Sequence, residues 1–370
     1  MKKCLILLAA ICLLLSGCGW MDGNYLSVTP HRIQNTVSQS EEISASNYLQ
    51  LRTVLEDMVK SGTETALINI SGYREDLVES GIANAVTFAA ERFPLGAYAV
   101  DEMTYEIGTN AGKPAISVNV SYIYGRAQIR KIKNAGNMDA AKQLILQALD
   151  SCDDSVVILV NNYNAMDFVQ MVEDYAQENP NLVMELPQVT VGIYPDAGAS
   201  RILEVKFQYE TSRESLRQMQ RQVQRTFASA QLYINSDATE EQKFSQLYTF
   251  LMERFDYDVQ TSITPAYSLL NHGVGDSEAF ATVYAAMCRQ AKLKCDTVSG
   301  TRDGQSWHWN IIWVNDTYYH VDLLRSSEME QFSRWTDQQM QGYVWDYSAY
   351  GSPEEIPADA MPEDTEKNNK

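Results

Sequence analysis

Four histidines, His31, His272, His308 and His320, are the side chains whose ordinary titration lies near neutral pH. Beyond the first eighteen residues the thiols are Cys152, Cys288 and Cys295. Neither set has the spacing of a metal-ligand cluster, so no metal and no cofactor are expected. Asp276 and Glu278 flank Ser277, and acids side by side at a helix start serve the cap and the dipole. A serine hydroxyl attacks at neutral pH only with a base beside it. The segment Trp307–Val314 reads as a strand. Alternation puts Trp307, Trp309, Ile311 and Trp313 on one face and His308 on the other, so His308 is no ready base for that face. His320 shares a face with Asp322 and reads as a hydrogen-bonded strand residue. Trp307, His308 and Trp309 are candidate ligand-binding residues, since a tryptophan-lined cleft stacks on sugar rings or holds a peptide.

Several short motifs follow one another in this region. They are Pro265-Ala266-Tyr267-Ser268-Leu269-Leu270, Gly275-Asp276-Ser277-Glu278-Ala279-Phe280-Ala281, Met287-Cys288-Arg289 with Leu293-Lys294-Cys295, Trp307-His308-Trp309-Asn310, and Tyr318-Tyr319-His320-Val321-Asp322. In this order, over roughly a hundred residues, they resemble the transglutaminase-like domain of bacterial surface proteins. The resemblance implies a papain-like fold and acyl transfer by a Cys-His-Asp triad. In that chemistry a thiolate attacks an amide, an imidazole carries the proton, and a carboxylate orients the imidazole. Carried over residue by residue, the cysteine position is Ser277, the histidine position is Trp307, and the aspartate position is Asp322. Only the aspartate is kept. An indole donates one N–H and accepts no proton, so nucleophile and base are lost together. A buried Asp322 is then expected to be satisfied by the Trp307 indole or the Ser277 hydroxyl. A surviving enzyme would be a serine-dependent hydrolase or acyltransferase using Ser277 with a relocated histidine, His308 or His272.

The elements that must position these residues are read from periodicity. The expected class is α+β: two N-terminal α/β repeats, each helix-strand-helix-strand-strand, followed by the papain-like transglutaminase-core domain. In the repeats, Ala66–Ile70 matches Val156–Val160 at an offset of 90, Thr104–Ile107 matches Thr190–Ile193 at 86, and Ile116–Val120 matches Leu203–Phe207 at 87. Helices are expected around Leu51–Met58 and Leu77–Arg92, then strands Tyr98–Ile107 and Ile116–Tyr122. The second copy has Ala141–Leu149, Val156–Val160, Met166–Gln177, Val189–Ile193 and Ile202–Tyr209. Arg213–Phe227 reads as a connecting helix. The expected boundaries are a leader at 1–17, a tether at 18–45, repeats at 46–133 and 138–230, the transglutaminase-like domain at 231–350, and a disordered acidic tail at 351–370.

The leader sets the expected compartment. Met1-Lys2-Lys3 precedes an apolar run, Cys4–Leu15, too short to serve as a stable membrane span. Leu15-Ser16-Gly17-Cys18 then resembles the lipobox of bacterial lipoproteins, which implies lipid on Cys18. The chain of 370 residues is 45% hydrophobic and carries a formal charge of −19. That composition is globular, and that charge argues against a nucleic-acid partner. Of the three later cysteines at most one pair forms, and Cys288 with Cys295 is left open. The expected protein is a surface lipoprotein outside the cytoplasm, anchored to a bacterial membrane through Cys18. Its transglutaminase-like domain is expected to be silent and to bind a peptide, a wall polymer or a protein. A purely structural scaffold is the remaining alternative.

Overall fold

The computed structural model describes residues 43–73, 78–259 and 264–350. The leader, the lipobox with Cys18, His31, most of the tether and the acidic tail lie outside the described residues.

The first copy starts with α1 (Tyr48–Ser61), whose N-cap Asn47 accepts from Gln50 N and whose C-cap Gly62 is left-handed at φ 64°. It buries Leu51, Leu55, Met58 and Val59. Next come β1 (Thr65–Asn69), α2 (Val78–Thr87) and a π turn over Phe88–Arg92. α3 (Pro94–Ala99), β2 (Val100–Asn110) and β3 (Lys113–Tyr122) complete the copy. The strand expected from Tyr98 begins only at Val100. Pro94, at the first helical turn, carries the preset φ of a helix start, so Tyr98 and Ala99 end α3. Tyr98 is buried there and stacks on Tyr124 at 4.4 Å.

The second copy follows a short helix, α4 (Arg126–Ile129). It contains β4 (Lys133–Ala135), α5 (Met138–Asp150), β5 (Ser155–Val160), α6 (Phe168–Glu178), β6 (Gln188–Tyr194) and β7 (Arg201–Gln208). Strand order is β1-β3-β2 in the first sheet and β4-β5-β7-β6 in the second. In the first sheet Ile116 faces both Ile68 and Ile107; in the second, Leu203 faces both Ile158 and Ile193. These equivalent rows are offset as the sequence motifs are.

Each copy also has an edge segment that periodicity did not reveal. β4 runs parallel to β5, with Asn134 opposite Leu159, and Ser44 bridges Asn69 in the same sense. Residues 43–45 thus hydrogen-bond along the end of β1, and Lys133 starts a strand of the second sheet. Pieces of three residues are too short to show a period of two.

The C-terminal region opens with α7 (Arg213–Tyr233), expected only to Phe227 and assigned to the second repeat. Its Leu216, Val223, Phe227 and Ala230 pack in a cluster that joins Cys152 and Met184 to the C-terminal core. α8 (Glu240–Met252) starts at a capping box between Thr239 and Gln242. Then come β8 (Asp256–Tyr257), α9 (Pro265–His272), β9 (Val274–Gly275) and α10 (Ser277–Gln290). The antiparallel sheet holds β10 (Cys295–Arg302), β11 (Gln305–Val314), β12 (Thr317–Val321) and β13 (Tyr343–Trp345), in the order β12-β11-β10-β13. α11 (Leu323–Glu328) follows β12.

α10 is buried from Ser277 to Cys288 except at Glu278, held between α8 and the sheet. Tyr284 Oη donates to Phe244 O at 2.9 Å, and Asn310 Nδ2 donates to Ala281 O at 2.8 Å. Cys152, Cys288 and Cys295 are free buried thiols, and burial pushes the Cys288 thiol well up. Among the described residues no helix is long and apolar enough to cross a membrane.

Candidate functional site

Ser277 is the first residue of α10. Asp276 is the N-cap and accepts from Ala279 N at 2.9 Å, so its carboxylate serves the helix start. β11 continues beyond the end of its pairing with β12, which stops at Asn310 opposite Val321. There the His308 backbone N–H donates to Ser277 Oγ at 3.2 Å. Ser277 is 7% exposed. Neither ring nitrogen of His308 forms a hydrogen bond with that hydroxyl, nor does His272, whose ring packs edge-on against Tyr267 at 5.6 Å.

Asp322 is 1% exposed and fully engaged. Oδ1 caps α11, accepting from Leu324 N at 3.0 Å and Arg325 N at 3.1 Å. Oδ2 accepts from Trp307 Nε1 at 2.8 Å and from Tyr343 Oη at 2.6 Å. Burial, with the Asp322 charge beside it, pushes the Tyr343 phenol far up, so it remains a donor. Arg302 Nη1 lies 3.6 Å from Oδ2, and Arg302 Nη2 pairs with Glu328 at 2.9 Å. The Arg302 guanidinium sits 5.3 Å from the Trp307 ring centre, and Tyr257 packs on another part of that ring at 6.0 Å. The carboxylate of the triad position is thus a helix cap gripped by an indole and a phenol.

The structure brings Ser277, Trp307 and Asp322 to one end of the helix-on-sheet core, as the motif order implies. It does not open Trp309 to a ligand: that residue is 1% exposed, packed among Tyr343, Trp345 and Val298. Trp307 and His308 are half-buried. Tyr343, Arg302 and the α11 N–H groups were not signalled by the sequence around Asp322, because they arrive from distant segments or from a cap that no strand pattern shows.

A second buried network lies on the aromatic face of the sheet. Trp309 Nε1 donates to His320 Nδ1 at 2.9 Å, which leaves the ring proton on Nε2. That Nε2–H reaches Asp337 Oδ1 at 2.8 Å, and Tyr318 Oη donates to Asp337 Oδ2 at 2.6 Å. Burial lowers the His320 pKa, opposed in part by Asp337. Both nitrogens of His320 are occupied, so it has no nitrogen free to serve Ser277. Among the described residues no group of three His, Cys, Asp or Glu side chains is placed to hold a metal ion.

Residues 228–323 match the family model of the transglutaminase-like superfamily. No curated protein matches the chain. Solved structures similar to it include a TGase, 9% identical over 52% of this chain and 59% of that one, with a TM-score of 0.26. The chain therefore spans less than two thirds of that TGase. A candidate cysteine protease from Cytophaga hutchinsonii is 8% identical over 43% of this chain and 70% of that one, with a TM-score of 0.26. A candidate protease from Parabacteroides distasonis is 7% identical over 70% of this chain and 40% of that one, with a TM-score of 0.23. With Ser277 opening a buried helix packed on an antiparallel sheet, and Asp322 directly after β12, the C-terminal region of this mixed α+β chain is a transglutaminase-like domain.

Proposed function

We propose that the chain is a surface lipoprotein, anchored outside the cytoplasm through lipid on Cys18, whose transglutaminase-like domain transfers no acyl group and serves as a recognition and scaffold module. The observation that carries this reading is the Trp307 indole donating to Asp322 at 2.8 Å. The position that needs a proton acceptor holds a donor, and the carboxylate that would orient an imidazole is committed to it. Ser277 Oγ, held by a backbone N–H, has no base bonded to it. Because Trp309 lies in the core, a bound peptide, wall polymer or protein meets the module at other surfaces. The net charge of −19 disfavours nucleic acid as that partner.

Two experiments test the reading. The full chain is assayed for amine incorporation into a glutamine peptide, for peptide hydrolysis, and for labelling by a fluorophosphonate, beside Ser277→Ala. Absence of turnover and of labelling is expected; turnover abolished by Ser277→Ala overturns the silent module. Labelling with radioactive palmitate in a bacterial host is expected for the wild type and absent from Cys18→Ala, and equal labelling of both overturns the anchor.

A further inference from the structure

A cavity of about 690 Å³ lies in the first α/β copy, between the start of α1 and one face of α2. That volume falls within the usual range for small-molecule sites, about 300–1,000 Å³. Ser80, Asn84 and Thr87 line it from α2, at helical spacing. Their side chains make no hydrogen bond among the described residues. Ser46 and Asn47 face them from the start of α1; the Asn47 carbonyl oxygen is used by Gln50 N, which leaves its amide N–H₂ to the cavity.

Three rings complete the lining: Tyr48, Tyr73 and Phe88. Phe88 opens the π turn, a feature that recurs at functional sites, and Arg52 covers one face of its ring at 3.6 Å. Tyr73 lies against Gly81, where a Cβ would come within 3.1 Å of Cε1 and 3.3 Å of Oη. The Tyr73 hydroxyl is buried and has no hydrogen-bond partner among the described residues. A buried unpaired hydroxyl has lost its water without gaining a partner, which costs stability.

The equivalent positions of the second copy carry a different chemistry. Asn47 and Asn137 are equivalent N-caps, so Tyr48 corresponds to Met138, which is buried. At the offset of 90 that relates Ala66–Ile70 to Val156–Val160, Ser80 and Asn84 correspond to Gln170 and Asp174. Those two bond to each other at 2.9 Å. The second copy satisfies its polar pair internally and replaces the ring with an aliphatic side chain. The first copy leaves the same positions unpaired beside aromatic faces.

The chemistry of the occupant follows from this lining. Among the described residues that line the cavity there is no carboxylate, and the one cation is Arg92. Most of the described polar lining is therefore uncharged. Hydroxyls and amides beside aromatic faces suit a ligand with many uncharged hydrogen-bonding groups and an apolar ring face. We infer that this groove is a saccharide-binding site. It does not depend on whether the C-terminal domain is silent.

The test is titration calorimetry of the full chain with two uncharged probes, the N-acetylglucosamine tetramer and maltotetraose. Saturable binding of at least one is expected, weakened about tenfold by Asn84→Ala. Tyr73→Phe distinguishes a binding role from a structural one. It removes an unpaired buried hydroxyl, so thermal stability should hold or rise, and binding weakens because the ligand, on entering, becomes that hydroxyl's partner. If neither probe binds up to its solubility limit, or if binding is unchanged in both variants, the inference is overturned.

Discussion

Trp307 Nε1 and Asp322 Oδ2 lie 2.8 Å apart, an indole donor bonded to a carboxylate that is 1% exposed. An isolated buried carboxylate would be driven to take up a proton. Here each oxygen has two donors, and the guanidinium of Arg302 lies beyond them. The bond joins the far end of β11 to the start of α11.

That bond can be weighed by removing its donor. Trp307→Phe keeps a ring between Tyr257 and Arg302 but deletes the N–H. The expected loss is about 1–3 kcal/mol of unfolding free energy, read by urea denaturation. Adding Tyr343→Phe leaves Oδ2 only Arg302, at 3.6 Å, so the double variant should lose more than the two single losses added together. Additive losses would mean that the two donors act independently.

Much of this arrangement was legible along the chain, and the reasons for the gaps are physical. The motifs matched in sequence fall in cross-strand rows, Ile68, Ile107 and Ile116 in one sheet and Ile158, Ile193 and Leu203 in the other. The edge pieces at 43–45 and 133–135 were not visible, because three residues carry no period. Asp322 was readable through motif order, and the indole bond followed from asking what a buried carboxylate needs. Tyr343 was not readable: it reaches Asp322 from 21 residues away, across the segment that carries Asp337. Trp309 and Trp307 alternate in sequence as if equal, but β13 covers one and leaves the other half-buried.

The close approach of β13 to β10 makes Gly300 a sensitive position. A Cβ there would strike Val344 O and come within 2.7 Å of the Trp309 ring. Gly300→Ala should destabilise the domain by about 1–3 kcal/mol, because neither a backbone carbonyl nor a packed indole can give way. Gly304, which turns between β10 and β11 at φ +80° with open space around it, is the contrast. Gly304→Ala should cost less, from backbone strain alone, about 1 kcal/mol. Thermal melts of the two variants compare the mechanisms.

His320 gives the domain a pH dependence whose sign is fixed. Burial holds its pKa below the ordinary 6.5, so below that pH the unfolded chain binds a proton that the folded chain refuses. Its contribution to stability is fully present above pH 6.5 and is lost as pH falls from there toward the folded value. The slope from one such group approaches about 1.4 kcal/mol per pH unit. Protonation would also set a second N–H against the Trp309 indole N–H. Urea unfolding between pH 7 and pH 5 should therefore show falling stability, and His320→Gln should flatten that slope whatever it does to the absolute value. An unchanged slope would assign the dependence to other groups.

The triad can be rebuilt at its own positions. Ser277 stands at the start of α10, where the helix dipole favours a thiolate. Trp307 already reaches Asp322, so a histidine there has a carboxylate to orient it. Ser277→Cys alone gives a thiol with a helix start but no imidazole. Ser277→Cys with Trp307→His supplies both, and its iodoacetamide alkylation at pH 7 should be about tenfold faster than that of the single variant. The rate should follow the thiolate fraction, with a midpoint displaced to lower pH. The smaller imidazole also leaves space beside Tyr257 and Arg302 that the indole fills. If the double variant is folded by circular dichroism yet alkylates no faster than Ser277→Cys, then the two positions no longer face each other, and the cleft has changed shape as well as chemistry.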